Sequence, residues 1–269
     1  MYAPKLIATD MDGTILFNWA QELSPRTLGL VRRVIDAGIV FVPASGRQYA
    51  NLRTIFSPMA DRLAYVADNG AMALVNNEVV YRATMDKALG DRIVRELLLH
   101  PECEPLVSGA RTSYIRAGAD EFYEHMTQVM RFSITAVDDV TSDATGEPYS
   151  KISAHYAGSD LTPERFAFWQ ERFDGQCAVV TSGLTWLDFM PFGVDKARGL
   201  AAVCERLGID PLDCMAFGDA GNDLEMLDFV GCPIAVRGAT PEARAHARFV
   251  VDTVEQALTR ILDGPGFDW

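Results

Sequence analysis

The chain has 269 residues, 49% of them hydrophobic and 23% charged, which is the composition of a folded globular protein and excludes disordered and fibrous classes. Its 24 Lys and Arg against 37 Asp and Glu give a net charge of −13, so a nucleic-acid or anionic-membrane surface is excluded, although a small anion held by a few local donors is not. No apolar run reaches the roughly 18 residues needed to cross a bilayer, and the opening segment lacks a basic-then-apolar leader pattern; the expected location is the cytoplasm.

The elements follow in chain order. Lys5 to Thr9 is a short apolar run ending in carboxylates, as in a buried strand that meets a functional loop. A helix is expected after Ser24 and Pro25, with Leu28, Val31, Val34 and Ile35 at helical spacing until Gly38. A second strand, Ile39 to Pro43, leads through Ser45-Gly46-Arg47 into a helix reaching about Phe56. Leu63 to Ala67 reads as a third strand, and Ala71 to Val75 with Val79 to Tyr81 as a hairpin turned at Asn76-Asn77. This βα alternation predicts a parallel sheet covered by helices.

From about residue 84 the pattern changes. A helix from Asp86 to His100, short strands such as Thr112 to Arg116 and Lys151 to Tyr156, and helices near 119–130 and 162–173 read as α+β. The earlier style returns at Trp186, with Leu187 to Met190, a helix from Asp195 to Leu207, the strand Cys214 to Phe217, a helix near 222–228 and the strand Cys232 to Val236. The organisation expected is an α/β core over 1–83 and 186–269, interrupted by an inserted α+β domain over 84–185.

Chemistry concentrates at strand ends. Asp10 and Asp12 lie two apart in Asp-Met-Asp-Gly-Thr, and a strand continuing through them would point both carboxylates into one crevice. Asp219 and Asp223, in Gly-Asp-Ala-Gly-Asn-Asp, follow another apolar run. If the two strands are neighbours, all four acids converge at the carboxyl edge of the sheet, where open α/β folds bind ligands, and oxygen-only donors there suit Mg²⁺ better than zinc. Ser45-Gly46 at a strand-to-helix turn suits a phosphate oxyanion. Lys196 stands at a helix start, where a cation needs an anionic partner. The five cysteines form no CxxC and the four histidines no HExxH, so neither a disulfide framework nor a zinc site is indicated.

These four segments, in this order, resemble the haloacid dehalogenase superfamily. Its DxDGT motif is present as Asp10-Met11-Asp12-Gly13-Thr14, its Ser or Thr as Ser45, its Lys as Lys196 and its GDxxND as Gly218 to Asp223. The insertion, together with Asn69-Gly70-Ala71 and Gly193-Val194-Asp195-Lys196, looks like the Cof-type branch with a C2B cap. Ala220 and Ala197 stand where glycines are frequent in that branch.

The resemblance implies a Rossmann-like core and a Mg²⁺-dependent phosphatase acting on small phosphorylated metabolites such as sugar phosphates. It implies Asp10 as nucleophile and Asp12 as general acid and base. Mg²⁺ would be held by the Asp10 carboxylate, the Asp12 carbonyl and Asp219. Met11 N–H, Ser45, Gly46 N–H, Lys196 and Asn222 would hold the phosphate, with Asp223 an anchor acting through water or Lys196. A phosphomutase of the same superfamily and a non-catalytic metabolite-binding protein are the competing readings. The inserted domain is the expected substrate selector, with Arg111, Ser113, Tyr114 and Arg116 on one of its strands. Asn69-Gly70 reads first as an ordinary turn and only second as a site contact.

Overall fold

The computed structural model describes residues 4–17, 20–109, 112–156, 161–181, 185–264 and 267. Strand β1 (Leu6–Thr9) is fully buried, as an unbroken apolar run requires. In α1 (Pro25–Asp36) Ser24 accepts the Thr27 N–H at 3.0 Å and Pro25 fills the first turn, so the start signals read from the sequence are both used. Next come β2 (Val40–Pro43), α2 (Tyr49–Ile55), β3 (Ala64–Ala67), β4 (Met72–Val75) and β5 (Glu78–Arg82). Asn76 and Asn77, at φ of 52° and 63°, turn β4 into β5 as a two-residue hairpin demands.

The insertion begins with α3 (Lys87–Leu97), β6 (Glu104–Ser108), β7 (Ser113–Arg116) and α4 (Asp120–Glu124), the last running into a π-helical turn over His125–Val129. It continues through β8 (Ile134–Val137), α5 (Ser142–Thr145), β9 (Lys151–His155), α6 (Pro163–Arg172), β10 (Ala178–Thr181) and β11 (Trp186–Met190). The remaining elements are α7 (Lys196–Leu207), β12 (Cys214–Gly218), α8 (Leu224–Phe229), β13 (Cys232–Val236), α9 (Pro241–Ala245), β14 (Phe249–Val251) and α10 (Val254–Asp263).

Two compact units result, Met1–Tyr81 with Asp195–Trp269, and Arg82–Val194. The first holds a parallel five-stranded sheet in the order β14-β13-β12-β1-β2. Strand β3 extends that order through a parallel bridge between Ala44 and Val66, then pairs antiparallel with β4. Because the chain fills one side of β1 early and the other side late, the crevice at the carboxyl ends of β1 and β12 is the topological switch point. Among the described residues no helix is long and apolar enough to cross a membrane.

The second unit is a six-stranded sheet, β10-β11-β9-β6-β7-β8, antiparallel except for β7 with β8. The expected return to the core at Trp186 is corrected here, since β11 pairs antiparallel with β9 and β10. Its alternation is the reason. Leu187 and Phe189 enter the apolar cluster of this unit, whereas Asp188 between them accepts from Lys151 Nζ at 3.2 Å and Ser153 Oγ at 2.6 Å. The first unit resumes only at Asp195.

Candidate active site

Register brings the motifs together before any side chain is considered. Thr9 lies level with Phe217 in β12 and Pro43 in β2, so Asp10, Gly218-Asp219 and Ala44-Ser45 emerge together at one sheet edge. The Asp10 N–H donates to the Phe217 carbonyl at 2.9 Å, and the Ala44 N–H to the Thr9 carbonyl at 2.8 Å.

On that edge Asp10, Asp219 and Asp223 each place a carboxylate oxygen within 4.8 Å of the others. Lys196, 1% exposed, is the cation among them, with Nζ 2.5 Å from Asp10 Oδ1 and 2.6 Å from Asp223 Oδ1. Asp195 caps α7 by accepting the Arg198 N–H at 2.8 Å, which fixes the turn from which Lys196 reaches inward. The second oxygen of Asp223 accepts the N–H groups of Asp219 and Ala220 at 2.8 and 3.1 Å, so Asp223 ties Lys196 to the loop after β12. Thr14 Oγ1 donates to Asp219 Oδ1 at 2.7 Å.

One ammonium does not balance three clustered carboxylates, two of them buried and the third, Asp219, half-buried. Burial, reinforced by Asp223 and Asp219, raises the Asp10 carboxyl above the usual carboxylate range despite the pull of Lys196. Burial raises Asp219 as well, with Thr14 working against it. Burial also opposes the charge on Lys196, but Asp10 and Asp223 outweigh it and hold the ammonium above the ordinary lysine range. A cluster with this surplus of negative charge and only oxygen donors fits a hard divalent cation, to which Asp10, Asp219 and Asp223 each could offer an oxygen.

Asp12 does not join the cluster. The expected shared face needs a strand through Asp12, but β1 ends at Thr9 and the Met11 carbonyl accepts the N–H groups of Thr14, Ile15 and Leu16, curling the chain into a loop. Its carboxylate turns instead to Arg47.

Ser45 is 2% exposed; its hydroxyl accepts the Arg47 N–H at 3.2 Å, and its carbonyl accepts the Asn69 N–H at 2.9 Å. Asn69 is therefore a site contact, since its Oδ1 also accepts from Asn222 Nδ2 at 3.3 Å and joins the loop after β2 to the loop after β12. Asp68 and Asn69 hold left-handed backbone conformations, φ 51° and 54°, a strain that clusters at functional sites. Gly46 sits against Asn69, where a Cβ would lie 3.1 Å from Oδ1.

Two contributors lacked a role in the sequence reading, Thr14 and Arg47, and Asn69 takes the second of the two roles read for it. Thr14 and Arg47 were visible as the last residue of one motif and the neighbour of another, and a basic residue beside a phosphate-type loop in an acidic chain is itself a signal. In the second unit, Arg111 lies outside the described residues. Ser113 is buried, Tyr114 donates to Glu147 at 3.1 Å, and Arg116 pairs with both oxygens of Glu104.

A family model described as haloacid dehalogenase-like hydrolase matches residues 7–259. The chain is 28% identical over 263 residues to the 5-amino-6-(5-phospho-D-ribitylamino)uracil phosphatase YbjI of Escherichia coli (strain K12), covering 94% of this chain and 96% of that one. It is 26% identical over 278 residues to the HMP-PP phosphatase of Enterobacter sp. (strain 638), covering 98% of each. A haloacid dehalogenase-like hydrolase of known structure from Bacteroides thetaiotaomicron shares the fold at a TM-score of 0.82 and 24% identity, over 97% of this chain and all of that one. Matched along nearly its whole length, the chain belongs to the haloacid dehalogenase-like hydrolase family, as one of its phosphatases.

Proposed function

We propose that this phosphatase hydrolyses small phosphate monoesters, sugar phosphates or similar metabolites, with Mg²⁺ and through an aspartyl-phosphate. The observation that carries the reading is the buried Asp10 carboxylate, clamped by Lys196 beside Asp219 at the switch point of a parallel sheet. The full-length relatives named for small phosphorylated metabolites support the substrate class.

Asp10 attacks phosphorus through one carboxylate oxygen, and the bond to the leaving alkoxide breaks. Asp12 gives that alkoxide its proton, then takes one from the water that cleaves the acyl phosphate and releases inorganic phosphate. Ser45, the Gly46 and Met11 N–H groups, Lys196 and Asn222 hold the transferring oxygens, where positioned charge contributes most to phosphoryl transfer. The Asp10 carboxylate, the Asp12 carbonyl and Asp219 would hold the metal, with Asp223 steadying Lys196 and the loop after β12. When bound, Mg²⁺ supplies the positive charge that lets an anionic nucleophile approach an anionic ester.

A panel of phosphate esters assayed for phosphate release tests this. Turnover is expected with Mg²⁺, is lost in excess EDTA and returns when Mg²⁺ is restored. No release from any ester, or release indifferent to EDTA, contradicts the proposal.

A further inference from the structure

Arg47 is 4% exposed, and every nitrogen of its guanidinium has a partner. Nε donates to Asp12 Oδ2 at 2.7 Å and one terminal nitrogen to Asp12 Oδ1 at 2.6 Å, while the other terminal nitrogen donates to Gln21 Oε1 at 2.8 Å and Asn51 Oδ1 at 3.0 Å. Its backbone is held too, the N–H by Ser45 Oγ and the carbonyl by the Asp68 N–H at 3.0 Å. The Asp12 side chain is 44% exposed, and among the described residues its carboxylate bonds only to Arg47.

This asymmetry assigns cause. An arginine fixed by four bonds besides those to Asp12 imposes its direction on an exposed carboxylate, and a planar fork binding both oxygens sets orientation as well as distance. The fork occupies two of roughly four lone-pair positions on the carboxylate, which leaves the others for a proton. Arg47 is also two residues beyond Ser45, so the loop assigned to the phosphate oxygens carries the group that aims Asp12.

Resting on the phosphatase reading above, we propose that Arg47 is a positioning residue for proton transfer, holding the Asp12 carboxylate in one orientation relative to the Ser45 loop. It acts through Asp12 and touches neither phosphorus nor metal.

A double-mutant cycle with p-nitrophenyl phosphate and Mg²⁺ tests it. Arg47→Gln is expected to lower kcat by roughly 10–100-fold, a part of the roughly 10²–10⁴ that a positioned acid or base contributes, with KM within about threefold. Asp12→Asn is expected to lower kcat further. Adding Arg47→Gln to Asp12→Asn then costs less than about threefold, because the residue it acts through is already gone. p-Nitrophenolate leaves without needing a proton, so in Arg47→Gln the slowed step is hydrolysis of the phosphorylated enzyme. Its pre-steady-state burst of p-nitrophenolate should exceed that of the wild type and approach one per active site. Arg47→Lys, which keeps the charge without the fork, should recover only part of kcat; it also carries the burst measurement if Arg47→Gln does not fold by circular dichroism.

Additive losses in the double variant, an unchanged burst, or a KM raised tenfold at constant kcat overturns the assignment while leaving the phosphatase reading intact. A wild-type enzyme without Mg²⁺-dependent phosphate release overturns both.

Discussion

Removing the Lys196 ammonium leaves the buried Asp10 and Asp223 carboxylates without their cation, beside a half-buried Asp219. Deleting one partner of a buried ion pair typically costs about 3–5 kcal/mol, because the remaining charges stay buried and uncompensated. Lys196→Met is therefore expected to lower the unfolding free energy measured in urea by that order in metal-free buffer, and added Mg²⁺ should recover part of the loss; an unchanged free energy would contradict the placement. Asp10→Asn should retain the fold by circular dichroism and abolish phosphate release, since an amide is not a nucleophile towards phosphorus. Asp12→Ala should fold and lose roughly 10²–10⁴ in kcat, the usual worth of a positioned acid or base; activity within threefold of wild type would remove it from that role.

Elements supply the geometry that these side chains use, and two glycines mark where they approach closest. Gly70, at φ +93°, lies against the start of α7: a Cβ there would sit 1.8 Å from the Asp195 carbonyl oxygen. Gly70→Ala is thus expected to lose at least about 2 kcal/mol and several degrees of melting temperature, and to reduce activity because the turn that presents Lys196 must shift. At Gly13, φ +92°, a Cβ would lie 2.5 Å from Asp219 Oδ2, so the first loop is shaped to seat that carboxylate. The order of elements around the site was legible because each has a local cause: apolar runs for β1, β2 and β12, Ser24 with Pro25 for α1, and Asp195 for α7. The bond between Asn69 and Asn222 was not, because it joins residues 153 positions apart and exists only once two loops meet. Strand β11 was misassigned for a similar reason, since Trp-Leu-Asp-Phe-Met looks like a buried run until Ser153 is found opposite its aspartate, with Lys151 reaching it from the same strand.

At the scale of the molecule, one of the two units holds a histidine through which acid destabilises it. In the second, His155 is ringed by Phe122, His125 and Trp186, faces Glu104 across the β6–β9 register, and has a buried Nδ1 without a hydrogen-bond partner among the described residues. Burial, aided by His125, lowers its pKa from 6.5 to about 4. Between those values the unfolded chain takes up a proton that the folded unit refuses, so this histidine's effect is absent above about pH 6.5, destabilises progressively on acidification and levels off below about pH 4. Urea unfolding at pH 7 and pH 5 should show a loss, on the order of 1–3 kcal/mol, that His155→Phe removes; equal losses in both proteins would contradict it. The division of the first unit between both ends of the chain, Met1–Tyr81 and Asp195–Trp269, has a further consequence during synthesis. As the polypeptide leaves the ribosome, the contiguous Arg82–Val194 segment emerges whole and has every partner it needs to close. Strand β1 must meanwhile wait with one flank bare until β12 is translated, so the active site completes last, and a ribosome stalled before residue 214 holds Asp10 without Asp219 and Asp223 beside it.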